Sequence, residues 1–275
     1  MSDWARRLPW AAGSAVILVG TLLPVVWLVS LSVKSPGTVA DGRLWPADPT
    51  LDNYRSIFGS TLFTRALGNS VAVALLTTLV ALLLATPAAY ALTRLDFRGK
   101  ALVLPLSLAV AVFPPVALVG PLFDLWRTLR LYDTWPGLVI PYLSFTVPLA
   151  MWTLTAFFRG LPWEMAEAAQ ADGGSPWQAF RLVVLPLARP GVLTAAILVF
   201  FVAWNDFVFA ISLTSSDRSR TVPAALASFP GDERFGQPVG SIAAAAVVVT
   251  VPVLVATLVF QRRLVAGLTA GVVTR

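Results

Sequence analysis

The sequence contains no cysteine and no histidine. Without thiols there is no disulfide, no cysteine nucleophile and no thiolate metal ligand, and the redox compartment leaves no mark. Without imidazole there is no histidine general base and no His-bearing metal site. Charge is also scarce: Asp, Glu, Lys and Arg make up 12% of 275 residues, whereas 57% are hydrophobic. Soluble domains carry about 25% charged residues, so this composition, with mean hydropathy +0.78, belongs to an integral membrane protein. A net charge of +6 invites thoughts of nucleic acid. However, the Lys and Arg are scattered between apolar blocks rather than clustered among aromatics, which excludes nucleic acid and points to anionic lipid head groups.

Crossing about 30 Å of hydrocarbon takes about 20 apolar helical residues. Six runs qualify: Trp10 to Val33, Leu67 to Leu92, Ala101 to Phe123, Leu138 to Phe158, Gly191 to Leu213 and Ser241 to Phe260. Of these, only the fifth holds an ionisable residue, Asp206. The runs are too long and too little alternating for barrel strands, so the expected fold is an all-α integral membrane protein with six transmembrane helices. An even number places both termini on one side. Arg94, Arg98 and Lys100 in a short loop, with Arg262-Arg263 closing the last run, assign that side to the cytoplasm. The first run follows Arg6-Arg7 like a secretory signal, but it is too long and lacks a cleavage motif, so it is expected to stay as a signal anchor.

The expected organisation is a signal-anchor helix with an outer loop over 1–66, a five-helix core over 67–260, and a cytoplasmic tail over 261–275. Turn-rich outer loops fall at Lys34 to Ala66 and Thr214 to Gly240. Pro87, Pro105, Pro114-Pro115, Pro121, Pro141, Pro148 and Pro252 lie in or near the spans. Each frees a carbonyl that must find another donor, which suits either a cavity-lining bundle or kinks made for packing.

The cytoplasmic segment 159–190 differs from the rest. Pro162 followed by Trp163 to Asp172, with Glu164 and Glu167 near the N-terminal end, reads as a short helix stopped by Gly173-Gly174. Ser175-Pro176-Trp177-Gln178 then offers an N-cap, a proline in the first turn and a capping box for a second helix running to Leu185. Such a pair makes a knob with an alanine face and flanking acids, suited to pairing with basic residues on another protein, or an ordinary loop over the bundle's end.

Glu167-Ala168-Ala169, Gly173 and, further on, Val183-x-Leu185-Pro186 together resemble the coupling-loop signature of permease subunits of binding-protein-dependent ABC importers, with Val183 where isoleucine is usual. Leu67-Gly68-Asn69-Ser70, Ala88-Ala89-Tyr90-Ala91, Trp204-Asn205-Asp206-Phe207 and the tail from Gln261 to Gly271 are similar to the smaller, maltose-transporter type of carbohydrate permease. Leu131 to Gly137 and Gly240 to Ala244 resemble in particular the permeases of actinobacterial trehalose importers.

The resemblance implies a maltose-transporter-like fold with cytoplasmic coupling helices in the bacterial cytoplasmic membrane. It further implies a second permease subunit, an ATPase dimer that uses ATP and Mg, and an extracytoplasmic sugar-binding lipoprotein. This chain binds no cofactor in that reading and is not an enzyme: it has no Walker-type phosphate loop, since Gly99-Lys100 lacks both the upstream glycine and the following hydroxyl. The residues implied to contact the ATPase are Glu164, Glu167, Ala168, Ala169, Asp172, Gly173, Val183, Leu185 and Pro186. Gly267, Leu268 and Thr269 in the tail either reach the same partner or belong to a disordered end.

Asp206 is the candidate pathway residue. A carboxylate inside a span costs about 2.5 to 3.5 kcal/mol and normally faces a cavity or a partner. At 1.5 Å per residue from Val192 it sits about 21 Å along, in the outer half of the bilayer. Asn205 beside it both donates and accepts, and Trp204, Phe200 and Phe207 offer rings for apolar sugar faces. The other reading pairs Asp206 with the second permease and turns the phenylalanines to lipid. The solute is expected to be trehalose or a related glucose disaccharide, with maltooligosaccharides, polyols and glycerol-phosphate-like compounds as alternatives. An ion-coupled secondary transporter using Asp206 as proton carrier, and a structural membrane protein, are the readings of other classes.

Overall fold

The computed structural model describes residues 3–228 and 239–270. Among them the only β-type pairing is an isolated bridge between Lys34 and Pro49. The helices are α1 (Asp3–Ser32), α2 (Asp52–Gly59), α3 (Thr61–Arg94), α4 (Lys100–Ala111), α5 (Pro115–Leu129), α6 (Trp135–Arg159) and α7 (Glu164–Ala171). They are followed by α8 (Pro176–Leu187), α9 (Arg189–Trp204), α10 (Val208–Leu213), α11 (Val222–Ala227) and α12 (Val239–Ala270).

Four stretches are each long and apolar enough to span a membrane: Ala12–Ser32, Thr61–Arg94, Trp135–Arg159 and Val239–Leu258. Two bent pairs raise the number to six, α4 with α5 at 83° and α8 with α9 at 71°. The six-span expectation therefore holds with two corrections. The third span is broken at 112–114, because Pro115 has no donor and forces Pro114 before it into an extended conformation (φ −60°, ψ 118°). The fifth span ends at Trp204 and resumes only as the short α10. Asn205 and Asp206 turn their side chains onto nearby backbone there, the habit that makes such residues helix terminators. The last helix, α12, runs on through Gln261 to Ala270, so the first ten residues of the expected tail are helical.

Packing divides the chain into two units. The first comprises 1–64 and 225–252. The loop after α1 is built on Lys34, fully buried, whose Nζ donates to Asp41 Oδ1 and to the Arg43 carbonyl at 2.6 Å each and lies 5.0 Å from the Trp27 ring. That hydrogen bond from Lys34 holds the Asp41 carboxyl below the usual carboxylate range. Asn53 Nδ2 donates to the carbonyls of Ser32 and Lys34. Gly240 lies against Asn53 so closely that a Cβ would meet its side chain at 2.7 Å.

The second unit comprises 65–224 and 253–275. Along α3 the alanines 81, 85 and 89 form a smooth face against Ala150, Leu154 and Phe158 of α6 and Ala195 and Val199 of α9. Small residues let membrane helices approach closely. Where α5 leads into α6, Trp126 Nε1 donates to the Gly137 carbonyl at 2.6 Å. Gly137 admits no side chain, because a Cβ would lie 2.1 Å from the Leu131 carbonyl oxygen.

Candidate coupling knob and translocation cleft

The knob expected at 159–190 forms. Helix α7 ends in a Schellman closure: Gly173 N–H donates to Gln170 O and Gly174 N–H to Ala169 O, each at 3.0 Å. Gly173 carries the left-handed φ of +92° that this closure requires. No atom lies within 4 Å of where its Cβ would stand, whereas a Cβ on Gly174 would meet Ala169 O at 2.6 Å. Gly174, not singled out beforehand, is thus the sterically tighter of the two within this chain. Ser175 and Gln178 form both halves of the capping box at the start of α8.

Helix α8 changes to π geometry over Phe180–Val184. Pro186 cannot donate to the Leu182 carbonyl one turn back, and π segments accommodate such a gap, often at functional positions. Leu185 and Pro186 then lead into the 71° bend toward α9.

The knob has a dry side and a wet side. Ala166, Ala179, Phe180 and Val184 are buried. Glu164, Glu167, Ala168, Asp172 and Gly173 are exposed, Ala169 and Val183 half-buried. Trp177 and Leu182 stand 65% and 67% exposed beside them. These two large apolar side chains on a polar knob were missed in the sequence; their signal was a Trp and a Leu outside the apolar positions of a short helix.

Glu167 is already engaged. Expected to pair with a partner's basic residue, it accepts a hydrogen bond from Arg94 at the end of α3, and the Arg94 guanidinium lies 5.3 Å from the Trp163 ring. Surface pairs and cation–π contacts of this kind contribute at most about 1 kcal/mol each, so the contact orients Glu167 more than it stabilises the fold. Gly267, Leu268 and Thr269 fall on the last turns of α12, outside the residues whose side chains are described.

The second feature is a cleft of about 450 Å³ lined by Leu108, Ala111, Pro115, Phe145, Asn205 and Asp206, together with Leu149 and Val202. The break in the third span and the break in the fifth meet there. A neighbouring space of about 480 Å³ shares Ala111, Pro115 and Phe145 and adds Phe113 and Phe209. Asp206 does not project freely into it: its Oδ2 accepts from the Tyr142 hydroxyl at 2.8 Å and from Ala210 N–H at 3.1 Å, which caps the first turn of α10. Asn205 is exposed and donates to the Phe201 carbonyl. Trp204, grouped with them from sequence, is 2% exposed and stacks on Phe200 at 5.5 Å. Phe207 is exposed. Among the described residues no group of Asp and Glu is placed to hold a metal ion.

The chain thus combines six potential spans, two of them broken, with a capped helical knob. Residues 79–269 match the family of binding-protein-dependent transport system inner membrane components, and the chain belongs to that family. It is 51% identical to the trehalose transport system permease protein SugB of Mycobacterium tuberculosis over 98% of each chain. With the sulfoquinovosyl glycerol transport system permease protein SmoH of Agrobacterium fabrum it shares 40% identity, over 94% of this chain and 90% of that one. With the trehalose/maltose transport system permease protein MalG of Thermococcus litoralis the figure is 36%, over 97% and 96%. In fold it matches a chain of a bacterial ABC transporter that imports the acidic polysaccharide alginate, with TM-score 0.80 at 23% identity over 95% of this chain and 98% of that one. The ABC importer permease fold expected from the sequence is therefore present.

Proposed function

We propose that the chain is one of two permease halves of an ATP-driven importer that carries trehalose, or a related neutral glucose disaccharide, across the bacterial cytoplasmic membrane. Both termini lie in the cytoplasm in this reading. An extracytoplasmic binding lipoprotein delivers the sugar, and a separate ATPase dimer, using ATP and Mg, supplies the work. Residues Glu164 to Pro186 dock on that ATPase, and the end of α12 around Gly267, Leu268 and Thr269 runs toward it.

The observation that carries the reading is the knob: the signature residues Glu167, Ala168 and Gly173 stand exposed on a helix and turn whose backbone is closed internally. A surface of small side chains on a rigid turn suits insertion into a groove of another protein. For the solute, identity to permeases named for trehalose weighs first. The cleft adds a chemical argument, because Asp206 is the sole ionisable residue among the described residues lining it. A neutral polyhydroxyl compound finds acceptors at Asp206 and Asn205 and apolar faces at Phe145, while a phosphate or sulfonate finds no Lys or Arg among the described residues lining this cleft.

The test is uptake of labelled trehalose by cells deleted for this gene and complemented with it, with maltose and glycerol phosphate as competitors. Loss on deletion, rescue on complementation and competition by trehalose alone are expected. Uptake that persists without the chain removes trehalose as its solute.

A further inference from the structure

We infer that Tyr90 and Arg94, at the end of α3, are positioning residues that carry displacement of the coupling knob into the second span. The inference rests on the coupling role proposed above and names the route by which that coupling enters the membrane.

The knob has two covalent connections to the spans, and both are bends. One passes through Gly160 to Pro162 after α6, and the other through the π segment and the 71° turn into α9. The third connection is made by side chains and contains no turn. The Tyr90 ring packs on Trp163 at 6.0 Å, just before α7, and on Phe180 at 4.8 Å, within α8. One side chain of α3 therefore packs on the residue that leads into α7 and on α8. Phe180 is braced in turn by Trp177 at 5.5 Å.

Four residues on, and hence on the same face of α3, Arg94 lies over the same Trp163 and pairs with Glu167 of α7. Between these contacts Ala89 and Leu92 share one buried cluster with Ala166, Phe180 and Val184. Close-packed interiors compress little and pass on strain, so a shift of α7 and α8 together moves the end of α3 rather than being absorbed.

Arg94 and Glu167 are both accessible to solvent, and exposed pairs add little to stability. Their removal is therefore expected to loosen this link while sparing the fold.

The experiment uses the complete importer, reconstituted in liposomes with its binding protein and trehalose, and reads ATP hydrolysis and sugar uptake in the same sample. Tyr90→Ala and Arg94→Ala are expected to assemble and hydrolyse ATP, with a several-fold fall in sugar carried per ATP. Tyr90→Phe, which keeps the ring, retains the wild-type ratio. A wild-type ratio in Tyr90→Ala overturns the inference. If that variant fails to assemble, Arg94→Ala decides alone, and a wild-type ratio there overturns it equally. Gly173→Asp run in parallel separates the two levels: a dead Gly173→Asp beside wild-type ratios in both alanine variants removes only the α3 link, whereas a fully active Gly173→Asp removes the coupling role itself.

Discussion

The Tyr142 hydroxyl donates a 2.8 Å hydrogen bond to Oδ2 of Asp206, joining the middle of α6 to the break that follows α9. The same oxygen accepts from Ala210 N–H, so one carboxylate atom both anchors the break and starts the next helix. The cost of a carboxylate at this depth is offset by these two donors and by its access to the cleft.

Substitution separates the two tasks. Asp206→Asn keeps an oxygen that can accept from both donors, whereas Asp206→Ala leaves a buried phenol and a first-turn amide without their acceptor, at about 1 to 3 kcal/mol. The asparagine variant is expected at wild-type abundance in the membrane with about tenfold weaker sugar uptake, the scale of a lost charge-assisted hydrogen bond. The alanine variant loses abundance as well. Immunoblots beside uptake curves distinguish them, and unchanged uptake by Asp206→Asn assigns the carboxylate to holding the chain together rather than to the solute.

The two glycines of the knob are expected to fail differently. Gly174→Ala drives a methyl to 2.6 Å from Ala169 O and forces the closure of α7 open. Gly173→Ala meets no neighbour and bears only the left-handed strain, about 1 to 2 kcal/mol. Sugar uptake is therefore predicted to fall further in Gly174→Ala than in Gly173→Ala at equal membrane abundance; the reverse order would contradict the turn geometry described above.

Much of this knob could be read from residue types alone, because its determinants are local. The capping box is spelled by Ser175 and Gln178, and the turn by Gly173. The breaks in the third and fifth spans leave no mark in hydropathy, since apolar character runs through them. Pro114-Pro115 and Asn205-Asp206 marked both positions in hindsight. The pairs Arg94–Glu167 and Tyr142–Asp206, 73 and 64 positions apart, are consequences of tertiary packing and leave no local trace. Gly137 proves to be a point where the Leu131 carbonyl comes too close for any side chain, and Gly240 one where a Cβ would displace the Asn53 side chain.

Between α5 and α6, Asp133 gathers the segment after α10. Its carboxylate accepts from the amides of Ser215 and Ser216 and from the hydroxyls of Ser216 and Ser219. Burial pushes its pKa upward, but the hydrogen bonds led by Ser216 and Ser219 outweigh it and hold the carboxyl below 3.8. A carboxyl with a folded pKa below its unfolded value, about 3.9, contributes stability in full above that value and loses it as the pH falls through the folded pKa. In detergent at pH 7, Asp133→Asn is expected to lower the thermal unfolding midpoint, and the gap to wild type is expected to narrow below about pH 4. A gap independent of pH would mean that the charge of Asp133 does not matter.

The coupling role of the knob is the central claim, and Gly173→Asp tests it most directly. The space around Gly173 lets the chain fold and insert, while the new side chain stands where a partner's groove must close. Trehalose uptake by cells carrying this variant, with membrane abundance verified, is predicted to fall to the level of the deletion strain. Wild-type uptake at wild-type abundance would contradict the account.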